Sequence, residues 1–243
     1  MKRLGLLICL LLVVISLKAQ DTFVLVHGAW GGAWQWKKID SLLTSKGHTV
    51  YRPTLTGLGE RVHLANKDIN LDVHIQDIVN TILFENLHDI ILIGHSYGGM
   101  VITGVADKLP ERIKKVIYMD AFLPEDGESV VNLNSSKTKS SLPTTIKDGF
   151  IIPNWVKPDK PYPYDVPHPI ATLTQKLSLK NPDRLKIKGG FILTVDEGKE
   201  AQNDTFYESY LRANKLGYDS SIMTADHNPQ WFKPNELLPY LTK

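Results

Sequence analysis

Short, continuous apolar runs alternate along the chain with longer segments whose apolar residues recur at helical spacing. Phe23 to Val26 reads as a buried strand, Trp34 to Ser45 as a helix and Thr49 to Tyr51 as a second strand. From Asp72 to Glu85 the positions Val73, Ile75, Ile78, Val79, Ile82 and Leu83 repeat at helical spacing, and the β-branched run Asp89 to Ile93 follows as a strand. A helix over about Tyr97 to Lys108, strands over Lys115 to Asp120 and Phe191 to Val195, and a helix over Thr205 to Leu216 come next. A strand near Ser220 to Met223 and a short helix after Pro234 close the series. Strands that are apolar throughout have no face left for water. The pattern therefore predicts an α/β fold, a mostly parallel sheet with helices on both faces.

The alternation breaks between Pro124 and Pro182, where nine of the fourteen prolines fall. Only weak helical segments survive there, so the insert, drawn at about 124–185, is not expected to form a sheet layer. A long connection of this kind in a compact domain usually carries function, often as a lid; a plain surface excursion is the alternative.

The start of the chain changes the picture of where the protein works. Lys2 and Arg3 precede an almost wholly apolar stretch from Leu4 to Leu17, and Ala19 offers a small residue before Gln20. This reads as a signal peptide over residues 1–19, since a run of about 14 apolar residues is short for a membrane span, which needs about 20. Residues 20–243 then form a single domain exported to the periplasm or medium, with no stable membrane insertion after cleavage. Cys9, the one cysteine, lies in the leader, so the mature chain has neither a disulfide nor a thiol nucleophile. Three of the 28 basic residues, Lys2, Arg3 and Lys18, leave with it, and 25 against 26 acids gives the mature chain a charge of about −1. No basic run points to nucleic acid.

Gly94-His95-Ser96-Tyr97-Gly98 is a G-x-S-x-G pattern placed between a predicted strand and a predicted helix. That context suits a nucleophilic serine on a sharp turn: the glycines remove Cβ atoms that would clash, and the helix N-terminus favours developing negative charge. His27-Gly28-Ala29-Trp30-Gly31-Gly32 follows the first strand, and a loop there can aim a backbone N–H at a substrate oxygen. Ala29 and Tyr97, the residue after the serine, are the expected oxyanion donors. His27 itself is expected to orient that loop by hydrogen bonds. His227, beyond the last strand, is placed to act as general base to Ser96. Its acid is either Asp120 or Asp196, each closing an apolar strand. The general chain order favours Asp196, on the strand before the histidine strand.

The remaining histidines lack metal-ligand spacing, and His74 with Asp77 reads as a solvated pair on one helix face. Neither phosphate-loop nor dinucleotide glycine pattern occurs, so no metal and no cofactor is expected. Trp30 and Met100, beside the two catalytic loops, and Trp155 in the insert are candidate substrate contacts. Tyr162, Tyr164 and Ile170 are weaker ones.

Four segments together resemble the α/β-hydrolase superfamily, in particular bacterial EstC-like esterases related to plant methylesterases and hydroxynitrile lyases. They are H-G-A-W-x-G-A-W (His27 to Trp34), P-T-L-T-G-L-G-E-R-x-H-L (Pro53 to Leu64), G-H-S-Y-G-G-M-V (Gly94 to Val101) and Y-M-D-A-F-L-P-E-D-G-E-S (Tyr118 to Ser129). The resemblance implies a serine esterase acting on a small-molecule ester. It also implies Asp120 as the acid, because the bacterial branch carries that aspartate in its D-A-F-x-P motif; the plant relatives' T-x-D pattern is matched instead by Thr194-Val195-Asp196. Lyases of the group resemble His-Thr in the first loop and carry a lysine after the catalytic histidine. Gly28 and Asn228 stand at those places here and favour hydrolysis over a lyase-like or other reaction of the same triad.

Overall fold

The computed structural model describes residues 20–134, 144–157 and 159–243. The expected signal peptide, residues 1–19, lies outside them. In chain order the main elements are β1 (Thr22–Val26), α1 (Lys37–Ser45), β2 (Thr49–Tyr51), α2 (Leu71–Phe84), β3 (Ile90–Ser96), α3 (Gly98–Lys108) and β4 (Ile113–Ala121). The insert contributes α4 (Val130–Asn134), β5 (Thr144–Lys147), β6 (Phe150–Pro153), β7 (His168–Pro169) and α5 (Ala171–Thr174). Then follow β8 (Lys188–Val195), α6 (Tyr207–Lys215), β9 (Asp219–Thr224), α7 (Pro229–Phe232) and α8 (Pro234–Leu241).

Six strands form one sheet in the order β2-β1-β3-β4-β8-β9, every neighbouring pair parallel. Strand periodicity sorts the apolar side chains onto its two faces. Phe23, Leu25, Ile91, Ile93, Ile117, Met119 and Ile192 face α1 and α8, packing with Ile39, Leu43, Leu237 and Leu241. Val24, Val26, Ile90, Leu92, Val116, Tyr118, Phe191 and Leu193 face the other way, against Ile75, Ile78 and Ile82 of α2 and Val101 and Val105 of α3. This is why the four inner strands, β1, β3, β4 and β8, carry no polar stripe. Helix α2 starts one residue earlier than its periodicity suggests, because the Asn70 side chain caps it by accepting the Val73 N–H at 3.2 Å.

The insert corrects one expectation. It does hold a small three-stranded antiparallel sheet, in the order β5-β6-β7. Its first two strands turn at Asp148-Gly149, both with positive φ (51° and 84°), the backbone that a two-residue hairpin demands.

Parallel strands all point one way, so the loops after β1, β3, β4, β8 and β9 gather at one end of the sheet. The chain reverses its direction of winding between β1 and β3, and a crevice opens at that carboxyl end.

Candidate active site

Ser96 ends β3 with φ of +55°, and α3 begins two residues later. The flanking glycines are required by close approach: a Cβ on Gly94 would meet the Gly98 carbonyl oxygen at 2.7 Å, and one on Gly98 the His27 and Val26 carbonyl oxygens at 2.9 Å. Two more non-glycine residues of this end of the sheet, Trp30 (φ +62°) and Asp120 (φ +45°), share the left-handed region. Such backbone costs of order 1–3 kcal/mol per residue and persists where surroundings impose it.

His227, on the loop after β9, places Nδ1 at 2.5 Å from Oδ2 of Asp120. The carboxylate is 2% exposed, and its other oxygen accepts the Thr194 N–H at 2.9 Å, so both oxygens are occupied. Asp196 lines the same cavity but turns outward, with its side chain 47% exposed and Oδ2 at 2.5 Å from Lys199 Nζ. The general placement rule therefore gives way to strand order. A histidine that must reach Ser96 on β3 stands over β4, and the β8 terminus lies a further strand spacing of about 4.8 Å away.

Burial works to lower the His227 pKa, but the Asp120 hydrogen bond and charge, helped by Asp204 and Asp226, raise it on balance above its ordinary value of 6.5. Phe206 stacks on the imidazole at 5.3 Å between centroids. On another side His95 donates Nε2–H to the His227 carbonyl at 2.7 Å and accepts from Gln230 at 3.3 Å on Nδ1. Burial, and then the neighbouring His227, hold His95 well below the ordinary imidazole range. Asp204 also faces this group: burial, then the charge of Asp120, pushes its carboxyl up to about 6. Ser96 and His227 line one cavity without a direct hydrogen bond between them.

The first loop approaches Ser96 across Gly28, where a Cβ would stand 3.0 Å from His95 Nδ1 and 3.1 Å from Ser96 Cβ. His27 is buried and orients this loop as expected. Its Nε2 accepts the Leu55 N–H at 3.0 Å, which leaves Nδ1–H to donate to the Gly28 carbonyl at 2.8 Å. Among the described residues, no protein group accepts from the Ala29 or Tyr97 amide. His74 and Asp77 are not a solvated pair. His74 is fully buried, its Nε2–H on the Thr56 carbonyl at 3.0 Å and its Nδ1 accepting the Tyr97 hydroxyl at 2.9 Å. Asp77 holds the Thr56 N–H and hydroxyl, both at 2.7 Å.

The cavity is about 530 Å³, within the range of small-molecule sites. Ala29, Trp30, Tyr97 and Trp155 line it with Ser96, Asp120 and His227, and the rings of Trp30 and Trp155 meet edge-on at 5.2 Å. Met100 does not line it: the residue faces inward from α3, fully buried in the core. Tyr162 and Tyr164 stack on each other at 4.7 Å instead, Tyr162 being 82% exposed, and Ile170 is also away from the cavity wall. Sequence reasoning missed Gln35, Phe122, Asp165, Leu173, Asp204 and Phe206, among other residues of the wall. Phe122 lies in the D-A-F-x-P motif, two residues after Asp120, and could have been found there; only their position in the fold identifies the other five.

A family model described as the Alpha/beta hydrolase family matches residues 23–218. Over 129 residues, 53% of the chain, the sequence is 46% identical to the Carbendazim hydrolyzing esterase of Nocardioides sp. (strain SG-4G), and the matched stretch spans 52% of that relative, about half its length. It is 38% identical to the Alpha-hydroxynitrile lyase of Arabidopsis thaliana over 105 residues, 42% of the chain and 40% of the relative. Among solved structures, an extracellular alpha/beta-hydrolase from a Paenibacillus species aligns over 90% of this chain and 98% of its own, with a TM-score of 0.68 and 26% identity. That protein is described as sharing structural and functional homology with Tobacco Salicylic Acid Binding Protein 2.

Proposed function

The chain belongs to the α/β-hydrolase family, and from that premise we propose that it is a serine carboxylic-ester hydrolase acting through an acyl-enzyme on a small or medium ester. The observation that carries this reading is the 2.5 Å contact of His227 Nδ1 with Asp120 Oδ2, on the wall of the cavity that also contains the strained Ser96 turn. The Asp120 contact keeps the proton on Nδ1, so Nε2 is the free base.

The steps follow from that arrangement. Ser96 Oγ attacks the ester carbonyl carbon while His227 Nε2 takes its proton, and the Asp120 carboxylate stabilises the imidazolium that results. The Ala29 and Tyr97 amides, which have no protein acceptor among the described residues, receive the oxyanion. His227 then returns the proton to the leaving alcohol as the ester C–O bond breaks, leaving an acyl ester on Ser96. Water attacks that ester with His227 again as base, which frees the acid. The missing Ser96–His227 hydrogen bond fits a pair that tightens only in the reacting complex.

Ester hydrolysis is supported over a lyase-like reaction by the small residue at Gly28, packed against Ser96 Cβ, and by Asn228 beside the base. The naming of the Nocardioides relative as an esterase agrees. Export to the periplasm or medium is supported by the apolar leader at residues 4–17 and by the extracellular origin stated for the Paenibacillus relative. The substrate is a small molecule, and no metal or cofactor enters the steps above. A fluorophosphonate probe tests the reading: it should label Ser96, and folded protein that stays unlabelled would contradict it.

A further inference from the structure

The insert and the first loop are joined at Trp30. Its amide N–H donates to Nδ1 of His168 at 3.1 Å, its indole N–H to the Ile151 carbonyl at 3.1 Å, and its carbonyl accepts the Val166 N–H at 2.9 Å. All three partners belong to the insert. Trp30 has φ of +62°, and Gly31 N–H bonds back to the Ala29 carbonyl at 2.7 Å, so the chain makes a strained three-residue turn here. The peptide between Ala29 and Trp30 is thus gripped at both ends, its carbonyl by Gly31 and its N–H by His168. The Ala29 N–H lies in the preceding Gly28–Ala29 peptide, whose carbonyl His27 holds at 2.8 Å; a twist of the Ala29–Trp30 peptide would move the Cα that the two peptides share and so carry the Ala29 N–H off line from a substrate oxygen.

His168 is suited to the grip. It is fully buried, and its Nε2–H donates to Thr172 Oγ1 at 2.6 Å, whose own hydroxyl goes to the Pro169 carbonyl at 2.8 Å. That chain of donors leaves Nδ1 as a fixed lone-pair acceptor toward Trp30. Burial, with His74 and His27 nearby, holds the ring neutral, well below the ordinary imidazole range. The same ring stands edge-on to Tyr97 at 5.1 Å and tilted against Trp30 at 5.9 Å, so it packs against one candidate oxyanion residue and against the neighbour of the other.

Resting on the hydrolase reading above, we propose that His168 is a positioning residue for the oxyanion site, fixing the Ala29–Trp30 peptide through the Trp30 N–H. The insert then sets donor geometry over Ser96 as well as walling the cavity. His168 touches no reacting atom; it acts through Trp30.

The test compares His168→Leu, which keeps bulk and removes the acceptor, with His168→Asn, whose amide oxygen falls near the place of Nδ1. Fluorophosphonate titration counts competent sites, and p-nitrophenyl butyrate turnover is expressed per titrated site. Loss of a well-aimed oxyanion donor is worth about 10²–10³ in kcat, so a misaimed one should cost about 10- to 100-fold with KM nearly unchanged. In His168→Leu the affinity of a trifluoromethyl ketone, which forms a tetrahedral adduct, should fall in parallel with kcat. His168→Asn should recover most of both. Thr172→Val, which leaves the ring in place but frees its tautomer, should show a smaller loss of the same kind and serves if His168→Leu does not fold. A parent that labels and turns over, with variants matching it per titrated site within 2-fold, overturns the positioning role alone. A parent that never labels overturns the hydrolase reading and this inference with it.

Discussion

Nδ1 of His227 lies 2.5 Å from Oδ2 of Asp120, which pairs the imidazole with the aspartate that closes β4 and leaves Asp196, at the end of β8, to Lys199. Exchanging Asp120 for Asn keeps the shape but offers Nδ1 an amide in place of a charge, and holds the ring in the wrong tautomer. By analogy with the serine-protease triad, turnover should fall by about 10³- to 10⁴-fold in Asp120→Asn. Asp196→Asn should stay within about 2-fold, because its partner is an exposed lysine. Steady-state kcat on one p-nitrophenyl ester decides the matter; the reverse ranking would contradict it.

His227 serves as a base only when neutral, and its pKa stands above 6.5 once the lowering by burial is outweighed by Asp120, Asp204 and Asp226. Activity should therefore rise with pH through a limb above 6.5. Asp204→Asn removes one supporting charge and should move that limb to lower pH in a kcat/KM profile; an unmoved limb would remove Asp204 from the account. The sign for stability is the opposite of the sign for activity. A raised imidazole pKa stabilises the fold fully below the unfolded value and loses that contribution as pH rises through the folded value. Asp120→Asn should thus lower Tm more at about pH 5.5 than at about pH 9, as thermal unfolding at the two values would show.

Most of the central sheet is legible because the four inner strands, β1, β3, β4 and β8, are buried on both faces and leave apolar runs, whereas the edge strands β2 and β9 are only partly buried. The Ser96 turn is legible for a related reason: the glycines it needs and the residues it joins are adjacent in the sequence. The preference for Asp120 over Asp196 comes from the D-A-F-x-P resemblance alone, since pattern and chain order cannot supply the lateral order β3-β4-β8, a long-range property. Met100 misleads because sequence proximity to Ser96 is not spatial access, and one helical turn carries it from the catalytic loop into the core. The small sheet in the insert had a usable signal, Asp148-Gly149 between Thr144–Lys147 and Phe150–Pro153, which the density of prolines obscured. His74, Tyr97 and His168 converge behind the oxyanion loop from separate elements, and nothing in their spacing announces it.

Gly28 offers a second check on the first loop. A Cβ there would press on His95 Nδ1 and Ser96 Cβ at 3.0 and 3.1 Å, so Gly28→Ala should displace the loop by a few tenths of an ångström. A loss of about 10-fold in kcat is expected, since misplacement by about 1 Å can cost about 10²-fold. Unchanged kcat would show that the loop has slack there.

Trp155 bounds the cavity from the insert, its Nε1–H on Asp165 Oδ2 at 2.8 Å and its ring against Trp30. Trp155→Ala should open that wall and favour longer acyl chains, raising the kcat/KM ratio of p-nitrophenyl octanoate to butyrate by about 10-fold, the worth of one or two methylenes in a pocket. An unaltered chain-length profile would place the acyl group elsewhere.

The central claim is an acyl-enzyme on Ser96 whose formation and breakdown depend on His227. Rapid mixing with p-nitrophenyl acetate, followed by acid quench and peptide mass mapping, tests it most directly. The account predicts a burst of nitrophenol equal to the number of sites and an acetyl group on the peptide bearing Ser96, with both abolished in Ser96→Ala and strongly slowed in His227→Ala. Full turnover by Ser96→Ala, or acetylation at another residue of a competent enzyme, would contradict it.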